Sequence, residues 1–103
     1  MNILQVNFKI DVPPDHLAQV MQGFIEGAKR TANIDGLIWK IYMEKQSEKI
    51  AGGIYLFKDE ASAQAYLNGP IIARMKSMPI ISNIEAKIFD VMPELTKITR
   101  GPC

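Results

Sequence analysis

The chain of 103 residues is long enough for one domain with a modest core. Hydrophobic residues make up 48% of it and charged residues 22%, and the formal net charge is +1. This balance lacks the basic surface that is typical of proteins binding nucleic acids or membranes, so neither partner is predicted. No stretch approaches the roughly 20 apolar residues of a membrane span, and the first residues lack the features of a secretion signal. We therefore expect a cytoplasmic protein.

An alternating strand and an amphipathic helix open the chain. Between residues 3 and 10 every second residue is apolar, which predicts a half-buried strand. Two prolines at positions 13–14 end this strand, since proline suits the first turn of a helix. Apolar residues then recur at spacings of three and four as far as Ala32, which predicts a helix with one buried stripe. Gly23 and Gly27 lower its helix propensity and would leave room for close packing or for a ligand.

Two strands joined by a polar loop follow. Residues 33–36 have turn chemistry, and a second strand begins after them. Strict alternation predicts one face with Leu37, Trp39, Ile41 and Met43, and an opposite face with Ile38, Lys40, Tyr42 and Glu44. The polar residues 45–49 are typical of a hairpin loop, and Ile54–Phe57 form a third strand after two glycines.

A second helical region and a last strand complete the pattern. Asp59 stands where a helix N-cap belongs, ahead of an alanine-rich helix that ends near Leu67. Pro70 predicts the start of another short helix. A final strand is predicted from 81 to 91. Residues 94–103 are predicted to be a polar tail that is either loosely ordered or bound to a neighbouring chain.

The order strand, helix, strand, strand, helix, strand predicts the α+β class. It is typical of a ferredoxin-like split βαβ sandwich, a four-stranded antiparallel sheet with the helices on one face, and one such domain is expected over residues 1–103. The third strand, however, is apolar on both sides. Monomers seldom expose an apolar patch of that size, so we expect a second copy of the chain against the open face, forming a homodimer. The alternative is a monomer with a few exposed apolar residues, which are normal on protein surfaces.

Several segments resemble one known family. The blocks Gly36–Tyr42 and Ala51–Phe57, together with the closing segment Ala86–Val91, are similar to the YdhR family of monooxygenases. The resemblance covers nearly the whole chain. It implies membership of the dimeric α/β-barrel superfamily, in which two ferredoxin-like chains join their sheets and each keeps a small-molecule pocket between its sheet and its helices. Relatives include cofactor-free, quinone-forming monooxygenases and haem degraders.

No cofactor is predicted. A metal site needs three or four His, Cys or carboxylate ligands, and the chain has one His and one Cys, far apart. Residues 60–78 contain no histidine, whereas the haem-degrading relatives hold haem through one in that region. Gly52 and Gly53 precede a strand rather than the helix of a phosphate-binding loop. We expect His16 to be a solvated residue at a helix start, with a general base as the alternative, and Cys103 to be a solvated tail residue.

Five residues are candidates for the walls of a substrate pocket. They are Phe24, Trp39, Tyr55, Tyr66 and Arg74. Tryptophan and tyrosine side chains can pack in a core, or their N–H and O–H groups can orient a ligand. The arginine could hold an anion or lie on the surface. The sequence assigns no residue a catalytic role.

A pocket of aromatic and apolar residues is compatible with three functions. The first is a cofactor-independent monooxygenase acting on a small aromatic or phenolic substrate, which itself reduces oxygen. The alternatives are a non-catalytic small-molecule binding or sensing dimer, and a cofactor-free isomerase or lyase. RNA-recognition motifs share the order of elements, but the positions of their stacking aromatics hold Leu4, Gly52 and Ile54 here.

Overall fold

The computed structural model describes all residues 1–103, and its centre is a four-stranded antiparallel sheet. The strands are β1 (Asn2–Ile10), β2 (Leu37–Lys45), β3 (Ile50–Phe57) and β4 (Ile81–Asp90), in the spatial order β2-β3-β1-β4. The helices are α1 (Leu17–Ala32), α2 (Glu60–Leu67), α3 (Pro70–Lys76) and α4 (Pro93–Ile98). The predicted ferredoxin-like α+β fold is confirmed.

The core lies between the two central strands and the helices α2 and α3. Leu4, Val6 and Phe8 point from β1 to the same side, and all three are buried. Opposite Leu4 on β3 is Tyr55, so the buried side of β3 faces the same core. From the helices, α2 and α3 contribute Ala63, Tyr66 and Ile72.

Local sequence signals position α2 and α3. The Asp59 carboxylate accepts a hydrogen bond of 2.8 Å from the backbone N–H of Ser62, which satisfies one of the free donors at the start of α2. Pro70 occupies the first position of α3, as predicted. Both signals fix where the helices begin. α2 then packs against β1, β3 and β4, and α3 packs against β4.

The first helix packs differently from α2 and α3. Thr31 is the only buried residue of α1, and three of its large apolar side chains are exposed: Leu17, Met21 and Ile25. A Cβ atom added at Gly23 or Gly27 would meet no atom within 4 Å. Close packing at these glycines, one of the two roles predicted for them, is therefore wrong. One flank of α1 remains open.

A β-bulge near the start of β2 reverses the predicted faces of that strand. Leu37 pairs with Phe57 but Trp39 pairs with Leu56, so Ile38 is an extra residue between them. Because directly opposed residues share a face, Leu37 lies on the helix side and Trp39 on the open side. The prediction that these two residues share a face is wrong. The same register places Lys40 on the helix side, opposite Tyr55.

The C-terminal segment was predicted as a loose or neighbour-bound tail, and this prediction is wrong. Residues 93–98 form the helix α4, with Pro93 at its first position. Beyond α4 the chain returns to β2, where the indole N–H of Trp39 donates a 3.3 Å hydrogen bond to the carbonyl oxygen of Pro102. The tail is therefore attached to the sheet of its own chain.

The side of the sheet away from α1, α2 and α3 is the open face. Its β2–β3 half carries Trp39, Ile41, Met43, Ile54 and Leu56, as the strand register requires. Ile41 is 53% exposed and Phe89, on β4, 46%. Among the helices, none has both the length and the apolar character needed to cross a bilayer.

Candidate functional site

A cleft of about 270 Å³ opens between the last turns of α1 and the first half of β2. We call it the α1–β2 cleft. It is lined by Ala28, Thr31, Ala32, Leu37, Ile38, Trp39, Lys40 and Tyr42. Most of these residues are apolar, and a few polar groups lie among them, which is the usual make-up of a small-molecule site.

Two buried tyrosines meet beside this cleft. The hydroxyl oxygens of Tyr55 on β3 and Tyr66 on α2 lie 2.9 Å apart and form a hydrogen bond. The two ring centroids are 4.9 Å apart, and the ring of Phe57 packs against both. Each buried hydroxyl thus satisfies the other, so the pair holds its geometry without solvent.

Lys40 connects the phenol pair to the cleft. Its Nζ atom lies 3.7 Å from the centre of the Tyr42 ring and 4.5 Å from the centre of the Tyr55 ring. Both distances are within the range of a cation–π interaction, which favours the charged amine. A Cβ atom at Gly53 would come within 2.7 Å of the Lys40 Cε atom. The second glycine of the pair therefore leaves the space that the lysine side chain occupies.

Burial shifts the protonation of this cluster. It lowers the pKa of Lys40 to about 8, because the charged ammonium loses hydration. Burial also raises the pKa of Tyr42, Tyr55 and Tyr66, and the nearby Tyr66 phenol adds to the rise at the other two. At neutral pH the three phenols are protonated and the amine is mostly charged, so the site combines hydroxyl groups with one cation.

Thr31 links α1 to the cluster. Its hydroxyl donates a 2.9 Å hydrogen bond to the carbonyl oxygen of Gly27, one turn earlier in the helix. The same hydroxyl faces the phenols of Tyr42 and Tyr66, where it opposes the rise of the pKa that burial causes. Thr31 is thus the polar contribution of α1 to a site otherwise built by β2, β3 and α2.

The structure brings together two of the five residues predicted for the pocket. Tyr55 and Tyr66 are in direct contact. Trp39 also lines the cleft, although its side chain lies toward the open face and its indole N–H donates to Pro102. Phe24 is half-buried on α1 and does not line the cleft. Arg74 is exposed in the last turn of α3, a helix that packs against β4 at the opposite edge of the sheet.

Sequence reasoning missed Lys40, Tyr42 and Thr31. Simple alternation assigned Lys40 and Tyr42 to the face away from the helices, because the pattern of apolar residues does not reveal the bulge at Ile38. One signal was present: a glycine on a neighbouring strand often marks a close approach by another group, and Gly53 has this role for Lys40.

The remaining titratable candidates lie outside the cleft. His16 and Cys103 are both exposed. No three side chains of His, Cys, Asp or Glu converge to form a potential metal site. The chemistry available at the cleft therefore comes from hydroxyl groups, one amine and apolar surface.

Residues 3–102 match a family model described as "Putative mono-oxygenase ydhR". The chain belongs to this family. The predicted membership of the YdhR family is confirmed, and the match spans the cleft, both tyrosines and the C-terminal helix. No curated protein has a sequence that matches this one.

Solved structures share the fold of this YdhR-family chain. A "putative antibiotic biosynthesis monooxygenase" from Deinococcus radiodurans has a TM-score of 0.67 and 16% identity, covering 88% of this chain and 92% of that one. SnoaB, a cofactor-independent oxygenase from Streptomyces nogalater, has a TM-score of 0.64 and 18% identity, covering 88% and 93%. MhuD, a heme-degrader from Mycobacterium tuberculosis, has a TM-score of 0.60 and 18% identity, covering 87% and 95%. At these identities the likeness shows the fold alone.

Proposed function

We propose that the protein is a cofactor-independent monooxygenase that oxidises a small phenolic substrate in the α1–β2 cleft. One observation carries the proposal: in a chain of a monooxygenase family, a buried phenol pair and a half-buried ammonium adjoin a mostly apolar cleft. Hydroxyl and ammonium groups are suited to binding a phenol or phenolate. The cleft is also small enough to match one or two aromatic rings.

In the proposed reaction the substrate supplies the electrons. An electron-rich phenol loses its proton, and the phenolate reduces O₂. One oxygen atom enters the ring, the other leaves as water, and the product is a quinone, so a phenol and O₂ give a quinone and water without another reductant. Charged Lys40 would stabilise the phenolate, and the Tyr55–Tyr66 pair would donate or accept a hydrogen bond at the substrate oxygen. The apolar walls limit water near the reacting ring.

Oxygen uptake tests this proposal. Purified protein is incubated with a panel of naphthols and hydroxyanthrones, and O₂ consumption is followed together with transfer of labelled oxygen into the product. We expect turnover by the native chain and a drop of roughly 10-fold or more in Tyr55→Phe, because one oriented hydroxyl is lost. Ser77→Ala, which removes an exposed hydroxyl beyond the end of α3 and away from the cleft, is the control and should keep its activity.

A non-catalytic small-molecule binding protein is the second candidate. One observation favours it: the cleft is lined by no carboxylate or imidazole, so Lys40 is the only side chain in it with a pKa suited to a general base. Saturable binding of the phenols without oxygen consumption would support this function and exclude the first. A product formed equally well without oxygen would instead indicate an isomerase or lyase.

We also propose that two chains pair through the open face. Exposed Ile41 and Phe89 lie there with half-buried Met43 and Ile54, and burial of this apolar surface would favour association. Solution scattering at working concentration measures the mass. A particle of twice 11.5 kDa supports the pairing, and a particle of 11.5 kDa contradicts it.

A further inference from the structure

We propose that the α1–β2 cleft selects an organic acid with an apolar body, whose carboxylate or other acidic group pairs with Lys40 while its body lies along the exposed side of α1. The inference rests on the proposed function, because it assigns a ligand class to the same cleft. It concerns binding alone and does not require the ligand to be oxidised.

The first step is that Lys40 has no counter-ion in the chain. The four ion pairs join His16 with Asp15, Lys29 with Glu26, Lys45 with Glu48, and Lys49 with Asp11. Lys40 is in none of them. It is half-buried, whereas the three lysines that form ion pairs are largely exposed. A half-buried cation without a partner is costly, and a ligand anion that completes the pair would remove that cost.

The second step is that the lysine is held by its surroundings. Gly53 leaves the space for its Cε atom, and the rings of Tyr42 and Tyr55 lie beneath its Nζ atom. The titratable groups that face it are phenols, from β2, β3 and α2. Since these are neutral at pH 7, the cluster carries a single positive charge, which selects against cationic ligands.

The third step concerns the apolar body of the ligand. At 100° per residue, Leu17, Met21, Ile25, Ala28 and Ala32 all lie within one side of α1. Ala28 and Ala32 line the cleft, and the three larger residues are exposed. The apolar wall therefore continues from the cleft toward the start of α1. From Leu17 to Ala28 it extends roughly 16 Å, since a helix rises 1.5 Å per residue.

The direction of the elements places this wall beside β2. β1 and β2 each pair antiparallel with β3, so they run parallel to each other, and α1 returns between them in the opposite direction. The start of α1 therefore lies toward the end of β2. A ligand with its acidic group at Lys40 would extend its body past Tyr42 and along Met21 and Leu17, where it covers apolar surface that is otherwise exposed.

A matched pair of ligands tests the inference. 2-Naphthoate and 2-naphthylmethanol share one ring system and differ in charge. We titrate each into the full-length protein without oxygen at pH 7, with amide chemical shifts as the readout. We expect the acid to bind at least about 10-fold more tightly, with the shift changes confined to α1, β2 and β3. Equal affinities, or changes confined to the open face or to α3, would overturn the inference.

Two variants test whether Lys40 causes the tighter binding of the acid. Lys40→Met should bind both ligands alike, whereas Lys87→Met, which removes an exposed lysine from β4, should keep the 10-fold preference. A preference that survives in a folded Lys40→Met overturns the inference. If that variant does not fold, the pH dependence of the native protein decides. The preference must fall as Lys40 loses its proton between pH 8 and 10, and a constant preference would contradict the pairing.

This experiment separates the two proposals. Acid-selective binding without oxygen uptake on any phenol would leave the inference intact and remove the monooxygenase. Oxygen uptake on phenols together with equal affinities for 2-naphthoate and 2-naphthylmethanol would leave the monooxygenase intact and remove the inference.

Discussion

The two halves of the helical layer differ in how they meet the sheet. On one side, α2 and α3 bury Ala63, Tyr66 and Ile72 against the central strands. On the other side, α1 buries one residue, Thr31, and leaves three large apolar side chains exposed. The comparison indicates that the packed half supplies most of the stability, while the loosely packed half provides the cleft. Four groups of variants test this division, beginning with the largest expected loss of stability.

The largest effect is expected in the packed half. Leu4→Ala removes a fully buried side chain, and we expect it to lower the free energy of unfolding by about 2–5 kcal/mol. Ile25→Ala, on the exposed side of α1, should change it by less than about 0.5 kcal/mol. Urea denaturation measures both. Similar losses in the two variants would contradict the division.

The phenol pair lies at the boundary between the halves. Tyr55→Phe leaves the buried hydroxyl of Tyr66 without its partner, so we expect a loss of about 1–3 kcal/mol in the free energy of unfolding. Tyr66→Phe should have a similar effect. The double variant should lose less than the sum of the two, because no orphaned hydroxyl remains. Strict additivity in this double-mutant cycle would mean that the hydrogen bond is not formed in solution.

The glycines of α1 should give a smaller effect of opposite sign. Gly23→Ala and Gly27→Ala add a methyl group where no atom lies within 4 Å, so each should stabilise the protein by about 0.5–1 kcal/mol through helix propensity. Gly52→Ala is the control from the packed sheet, where the new Cβ would clash with the carbonyl oxygen of Val6. That variant should be destabilised. Thermal unfolding ranks all three, and a destabilised Gly23→Ala would show that α1 packs more closely than the structure describes.

The last test concerns Lys40 and is a dependence of stability on pH. Its pKa is about 8 in the folded chain and near the ordinary value of 10.5 when unfolded, so the unfolded chain binds more protons between these values. The free energy of unfolding should therefore gain a rising contribution from pH 8 to 10, and lose it as the pH falls through 8. Denaturation of native protein and Lys40→Met across this range isolates the contribution. A constant difference between them would mean that the lysine is not shifted.

Much of the fold was predictable because its signals are local. The alternation in β1, the Asp59 cap and the proline at 70 each depend on a few consecutive residues. The start of α4 carries a similar local signal, since Pro93 and Glu94 are typical of a first helical turn.

Much of the candidate site was not predictable because it depends on pairing between strands. One additional residue in β2, Ile38, moves Trp39 to the open face and Lys40 to the helix side, and only the register against β3 reveals it. Tyr55 and Tyr66 could be identified because tyrosine is a residue type that commonly lines ligand pockets. The hydrogen bond between them joins β3 to α2 and was not predicted. Residue type was therefore enough to identify the two tyrosines, whereas Lys40 and Tyr42, which strand register places in the site, were missed.

The bond between Trp39 and Pro102 gives the molecule an optical reporter. Because Trp39 is the chain's sole indole, its fluorescence comes from one place, at the contact between β2 and the C-terminal segment. Release of that segment would expose the ring to water and shift the emission to longer wavelength, without any label. The attachment and detachment of the last residues can therefore be followed in real time.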